Sequence, residues 1–349
     1  MFIMKKYFFT AAMATLMLLS ASCNKQEIES PEILQEETSI QTKVYGEKSP
    51  KAIVYVETND INPLNVLDYE LPDNVKFFDV CELFAANIHK EIVNGKEVPT
   101  VYLNDKLTPI LEGGLSTYVA PIQNAGIKVF LTMLGDWQHI GLANMNDTQQ
   151  KQFANILAYV YKKYNLDGIG FDDEYADYPW FGAGSPNNAS YAGIINYFKQ
   201  LCPQAMVHVF DYGGYTGGID INKVTHASHG IFQSFVINSD ISNMPKAKWS
   251  PMSFNLGQDN NLQKVLTQAS TTKTEGYGSM MFFNLRTKTE KDPTALLQKV
   301  SDGAYNGKIV SCIGGNRTRT AVPVPSGHTI TNQIAKAGLA NYGITPFNV

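Results

Sequence analysis

From Ala52 onward the chain alternates short apolar runs, rich in Val, Ile, Phe and Tyr, with longer segments of helical periodicity. The apolar runs predict eight strands: Ile53–Glu57, Phe77–Phe84, Lys128–Leu134, Gly168–Asp173, Met206–Tyr212, Gly230–Val236, Met252–Asn255 and Ser279–Asn284. Helical periodicity runs from Asp147, a plausible N-cap, through Tyr164, and again over Asn261–Thr271 and Asp292–Val300. Eight strands alternating with helices over roughly 260 residues fit a single (β/α)8 TIM barrel. An open doubly wound sheet is the other architecture with this rhythm, but no Gly-rich phosphate turn follows the first strand.

The two ends break the pattern. Lys5 and Lys6 precede an apolar run from Tyr7 to Leu19, and Ser20-Ala21-Ser22-Cys23 follows. This is a charged segment, an apolar segment and a small-residue cleavage site. The run is too short to span a bilayer comfortably. Cys23 directly after small residues resembles a bacterial lipobox, although Ser20 stands where Leu is more usual. The expectation is a signal peptide over 1–22 and lipidation of Cys23, anchoring the protein at the bacterial outer membrane or cell surface. An ordinary secretory signal with an incidental cysteine is the plainer alternative. Residues 23–49 are polar and aperiodic and read as a flexible tether to a barrel over 50–308. The C-terminal extension, 309–349, leaves the barrel rhythm, and alternation with a Pro-Ser-Gly turn predicts a small hairpin within Thr318–Ile330.

Composition narrows the class without deciding it. A net charge of −4 and no long basic block give no ground for a nucleic-acid partner. The membrane enters only through the anchor, and a monomer is expected. Cys81, Cys202 and Cys312 are odd in number and widely spaced, so buried free thiols are expected rather than disulfides. His226 and His229 are three apart, but no carboxylate or Cys motif accompanies them, and neither metal nor cofactor is expected.

The chemistry concentrates in Leu166-Asp167-Gly168-Ile169-Gly170-Phe171-Asp172-Asp173-Glu174-Tyr175. Side chains alternate along a strand, so Gly170, Asp172 and Glu174 share one face and Asp167, Ile169, Phe171 and Asp173 the other. Asp172 and Glu174 would project together at the C-terminal end, where barrels carry their active sites. Breaking a glycosidic bond needs an acid for the leaving oxygen and a group that stabilises the cationic sugar. Two close carboxylates do not both ionise cheaply, so one keeps its proton. By themselves these residues fit a solvated acidic loop or a divalent cation site better, since charged strand ends are common.

Resemblance separates these readings. Asp167 to Glu174 resembles the Asp-x-x-Asp-x-Asp-x-Glu signature of glycoside hydrolase family 18, and Phe171-Asp172-Asp173-Glu174-Tyr175 is similar to its endoglycosidase H and F branch, the endo-β-N-acetylglucosaminidases. Lys128–Gly135 with Gly141–Asn144 resembles that branch's third strand and loop. Val54–Asn59, Phe84–Ile88, and Tyr277-Gly278 with Phe283–Leu285 are similar to its first, second and eighth strands. The resemblance covers roughly residues 53–285. It implies hydrolysis of the chitobiose core of N-linked glycans, high-mannose by the wording of the branch, with a glycan or glycoprotein as partner. Glu174 matches the general acid and Asp172 the residue that orients the substrate's 2-acetamido group. The oxygen of that group then serves as nucleophile, a recognised exception to the two-carboxylate schemes.

Two departures stand out. Gly170 replaces the signature's second Asp. Phe232-Gln233-Ser234-Phe235 falls where the family places an amide and a tyrosine. Gln233 fills the amide role, while Phe235 lacks the hydroxyl, which Tyr212 is placed to replace. These departures favour an alternative, a glycan-binding lipoprotein whose chemistry has faded. A chitinase-like hydrolase is a further reading of the same motif. Sugar contacts are expected from Trp137 and Gln138 after the third strand, and from Glu57 and Asn284 at the ends of the first and eighth. Trp137 fits packing against a neighbouring loop equally well. Asn59 and Arg286 are further contact positions, and Asp211 reads as structural.

Overall fold

The computed structural model describes residues 48–349, apart from positions 180, 183, 213, 230–233 and 319–323. Cys23, the signal segment and nearly all of the tether lie outside the described residues.

The main sheet has eleven strands. In chain order they are β1 (Lys51–Glu57), β2 (Val80–Val93), β3 (Lys96–Leu103), β4 (Lys128–Leu134), β5 (Gly168–Asp172), β6 (Met206–Phe210), β7 (His226–Ser228), β8 (Trp249–Ser250), β9 (Ser253–Asn255), β10 (Ser279–Phe283) and β11 (His328–Ile330). The parallel part runs β8-β7-β6-β5-β4-β2-β1-β10-β9. Its two edges, β8 and β9, are separated in sequence only by Pro251 and Met252. One segment therefore meets β7 on one side and β10 on the other, and the sheet comes round into a barrel of eight staves. Pro251 breaks the seventh stave because it has no N–H for the ladder.

The described residues form five helices of eight residues or more: α1 (Asp147–Lys163), α2 (Asn188–Leu201), α3 (Leu262–Thr274), α4 (Thr294–Ala304) and α5 (Asn332–Leu339). The cap of α1 is Asn146, not Asp147: its side chain accepts from the Gln149 N–H, and the Gln149 side chain returns a bond to the Asn146 N–H. Asp147 takes the first helical position, where a negative charge suits the helix dipole. Among the described residues, the crossovers from β6 to β7 and from β7 to β8 carry only single 3-10 turns, Ile221–Lys223 and Lys246–Lys248.

The sixth stave is His226–Ser228; of the predicted Gly230–Val236, residues 230–233 lie outside the described residues and 234–236 are not in a strand. Phe235 packs its ring edge-on against Tyr277, 5.7 Å between centroids, and contributes to the apolar layer around the barrel. The second stave is longer than predicted and turns back as a hairpin, β2 with β3. The expected hairpin in 318–330 lies partly outside the described residues, at 319–323; the described strand β11 pairs antiparallel with β3, and α5 packs on α1. There Asn155 bonds Asn332 and both backbone groups of Phe347.

Two apolar regions hold the barrel. Ile53, Tyr55, Val80, Phe130, Phe210 and Met281 fill its inside, and a much larger set fills the layer between barrel and helices. Gly168 is required by the first: a Cβ there would stand 2.7 Å from the Phe130 ring. Cys81 and Cys202 are buried free thiols, while Cys312 is only half-buried.

Candidate active site

Strand β5 positions the carboxylates. Its odd residues, Ile169 and Phe171, point into the outer apolar layer, and the Phe171 ring meets Tyr191 of α2 at 6.1 Å. Its even residues point inward, as the contacts awaiting a Cβ at Gly168 and Gly170 show. Asp172 follows on that inner face and is 4% exposed. Its Oδ1 is buried without a hydrogen-bond partner among the described residues. Burial first, and then the charges of Glu174, Asp173 and Glu82, push its carboxyl well above the usual range, opposed by the Glu174 N–H. Glu174 lies just past the strand end, half-buried, and burial raises its carboxyl as well. Two raised carboxyls side by side take one charge before two, so the pair holds its last proton more tightly than an isolated carboxyl does.

The third carboxylate points the other way. The Tyr178 hydroxyl donates to Asp173 Oδ1, and the Ala143 N–H donates to the Tyr178 oxygen at 2.8 Å. Burial pushes Asp173 up to about 6. This bracket ties the loop after β4 to the loop after β5. The approach is closest at Gly135, where a Cβ would stand 2.4 Å from the Glu174 carbonyl. The Gly135 N–H bonds that carbonyl at 3.1 Å. Any side chain at Gly135 would displace the backbone that carries Glu174.

Those of the remaining predicted residues that the structure describes lie at the same end of the barrel. Trp137 is 62% exposed, and its ring stands 5.7 Å from that of Tyr175, next in sequence to Glu174. Gln138 lies half-buried in the same loop. Tyr212 follows β6, partly exposed, with its ring stacked on Phe210. Glu57 and Asn284 end β1 and β10 but have partners within the protein. Arg286 lies 3.6 Å from Glu57 and 2.9 Å from Asp60, and Asn284 donates to the Asn255 side chain at 2.9 Å. Asn59 likewise accepts from Asn104. Gln233 lies outside the described residues. Asp211 is structural: Thr216, Ser239 and the Asp240 N–H all donate to it.

Sequence reasoning missed a buried polar layer beneath Asp172, formed by Tyr55, Glu82, Thr132, His208 and Ser228. The signal was present. Glu82 is a lone carboxylate inside the apolar run Val80-Cys81-Glu82-Leu83-Phe84, and such a residue is kept in a core only with partners. Among the described residues no group of three or more His, Cys, Asp or Glu is arranged to hold a metal.

A parallel barrel with two carboxylates meeting at the C-terminal rim of one stave defines a glycoside hydrolase of the TIM-barrel type. No protein-family model matches the chain. The chain is 30% identical over 243 residues to an endo-β-N-acetylglucosaminidase of Flavobacterium sp. (strain SK1022), covering 68% of this chain and 75% of that one. It is 31% identical over 276 residues to endo-β-N-acetylglucosaminidase F1 of Elizabethkingia meningoseptica, covering 74% and 79%. Among solved structures it superposes on EndoBT-3987 of Bacteroides thetaiotamicron with a TM-score of 0.69 and 28% identity, over 81% of this chain and 72% of that one. That structure holds Man9GlcNAc2Asn as substrate. The chain belongs to the endo-β-N-acetylglucosaminidases of glycoside hydrolase family 18.

Proposed function

We propose that the protein cuts N-linked glycans, high-mannose ones in particular, between the two core N-acetylglucosamines by substrate-assisted catalysis. The observation that carries this reading is the pairing of a buried, part-unpartnered Asp172 with a half-buried Glu174 whose carboxyl is raised. The substrate seen in EndoBT-3987 is of the matching kind.

Glu174 begins protonated and gives its proton to the glycosidic oxygen as that bond breaks. The 2-acetamido carbonyl oxygen of the cleaved sugar attacks the anomeric carbon, and the bonding pair leaves with the protein-linked N-acetylglucosamine. Asp172 Oδ1, free of partners among the described residues, accepts the acetamide N–H and faces the positive charge that develops on the oxazolinium. Water then attacks the anomeric carbon from the vacated side and loses its proton to the Glu174 carboxylate. The ring opens, the configuration is retained, and Glu174 is reset.

The reading of a faded glycan-binding protein rested partly on Phe235. That residue packs its ring on Tyr277 within the apolar layer, which weakens the argument drawn from it. We also hold that Cys23 is lipidated and displays the enzyme at the bacterial surface, on the strength of its place after the apolar run. A Cys23→Ser variant that still partitions into detergent would contradict that.

The test of mechanism compares two chitobiose-linked substrates, one natural and one with the 2-acetamido group of the cleaved sugar replaced by hydroxyl. Cleavage of the first with retained β configuration in the NMR spectrum, and none of the second, is expected. Equal cleavage of both would remove the acetamide from the mechanism. Comparing high-mannose with complex glycans in the same assay tests the substrate preference.

A further inference from the structure

The barrel interior holds a carboxylate that none of the steps above uses. Glu82, on β2, is fully buried. Its Oε2 accepts the Thr132 hydroxyl at 2.7 Å, and its Oε1 meets His208 Nδ1 in a close contact. His208 Nε2 lies 2.6 Å from Ser228 Oγ, and the Tyr55 hydroxyl lies 3.4 Å from His208 Nδ1. A side-chain network thus runs through the barrel from β4 through β2 and β6 to β7, with β1 leaning on it. Such a set is expensive to bury unless it is satisfied, and here each member has a partner.

The place of this carboxylate is specific. A Cβ built on Gly170 would stand 2.2 Å from Glu82 Oε2 and 2.9 Å from Thr132 Oγ1. Glu82 therefore fills the volume into which a side chain at 170 would grow. Gly170 and Asp172 are two residues apart on the same face of β5, so what fills the space at 170 lies one layer beneath Asp172. A carboxylate on β5 at 170 and a carboxylate on β2 at 82 exclude each other in this space.

We infer that Glu82 is a positioning residue for Asp172, supplying from β2 the carboxylate that the signature would place at 170 and setting from beneath the charge and orientation of Asp172. This rests on the glycosidase reading of Asp172. The titratable groups around Asp172 are Tyr55 from β1, Glu82 from β2, His208 from β6, Tyr191 from α2, and its neighbours Asp173 and Glu174. Glu82 is one of the negative charges that hold its carboxyl up. Removing that charge lets Asp172 ionise at lower pH.

The experiment follows Asp172 directly in the full chain, by carbon-13 NMR of labelled aspartate carboxyls, assigned by loss of one signal in Asp172→Asn. The same samples are assayed for glycan cleavage against pH. In Glu82→Gln the Asp172 midpoint falls by about one pH unit, and the acid limb of kcat/KM follows. There kcat drops about ten- to a hundredfold, and KM stays within about twofold. The variant Gly170→Asp combined with Glu82→Ala moves the carboxylate back to β5 and returns midpoint and pH profile toward the native ones. An unchanged midpoint in Glu82→Gln overturns the inference. So does a swapped variant that melts as the native protein does but keeps the altered midpoint. If Glu82→Gln does not fold, the swapped variant decides alone. A native protein that cleaves no glycan, with an Asp172 midpoint that still responds to Glu82, sinks the glycosidase reading and leaves the coupling standing.

Discussion

The two ends of strand β5 carry carboxylates of the same signature in opposite circumstances. At the N-terminal end, Asp167 is surrounded by donors. It accepts from Gln123 at 2.8 Å, from Lys128 at 3.0 Å and from the Val129 N–H at 3.0 Å. A cavity of about 550 Å³ opens at that end, lined by Lys51, Lys128, His226, Lys273 and Tyr277 among others, and no carboxylate faces it. At the C-terminal end, Asp172 has an oxygen with no partner, and Glu174 is held by its backbone with its carboxyl left to act. A satisfied carboxylate is part of the scaffold. One that is buried but unsatisfied carries a cost that a substrate can relieve. The size of a cavity therefore says less about the active end than the bonding of the charges beside it.

Breaking the C-terminal end gives the largest effects. Glu174→Gln removes the acid and is expected to lower kcat by about 10³-fold or more while the melting temperature holds or rises. Asp172→Asn keeps the shape but removes the charge that the proposed mechanism sets against the oxazolinium, and a loss of about 10²- to 10³-fold in kcat is expected, read under saturating substrate. Asp172→Asn with unchanged kcat would place the critical charge elsewhere.

The N-terminal end should behave in the opposite way. Asp167→Asn leaves Lys128 without its ion-pair partner and costs about 1–3 kcal/mol in denaturant unfolding, with kcat per folded molecule within about twofold. A large kcat loss there would erase the contrast.

Asp173 sharpens the comparison through pH. Its carboxyl is raised to about 6 in the fold against 3.8 ordinarily. The folded state therefore binds this proton more tightly than the unfolded chain does. Stability from this group is highest below about pH 4 and declines as pH rises through 6. Asp173→Asn should flatten that decline in melting curves taken between pH 4 and 7. The smallest effect belongs to Trp137→Ala, which removes an exposed ring beside Tyr175. It is expected to raise KM about two- to tenfold with little change in kcat.

Most of this architecture was legible in the sequence because the staves of a parallel barrel are buried on both faces and read as continuous apolar runs. β4 and β5 are such runs, and the carboxylates stood out at the end of one of them. The sixth stave failed for a physical reason. His226-Ala227-Ser228 is short and polar on its inner face, where His226 and Ser228 sit among other polar groups. The apolar run Ile231–Val236 looks more like a strand, yet its Phe235 serves the outer layer. Asn146 lost the cap to Asp147 in the sequence reading because both residues cap well, and only the bond from Gln149 separates them. Of the layer beneath Asp172, Glu82 was visible as a lone carboxylate in an apolar run, but its partners Thr132, His208 and Ser228 were not, because the four come from four different staves. Gly170, read as a missing residue, is the opening through which Glu82 enters.

The most direct test of the central claim is the mass of a high-mannose glycoprotein after incubation with the protein lacking residues 1–23, in parallel with its Glu174→Gln variant. The account predicts that the glycan is lost down to a single retained N-acetylglucosamine with the first and stays intact with the second. An unchanged mass with both, repeated on hybrid and complex glycans, would contradict it, and so would equal cleavage by the two.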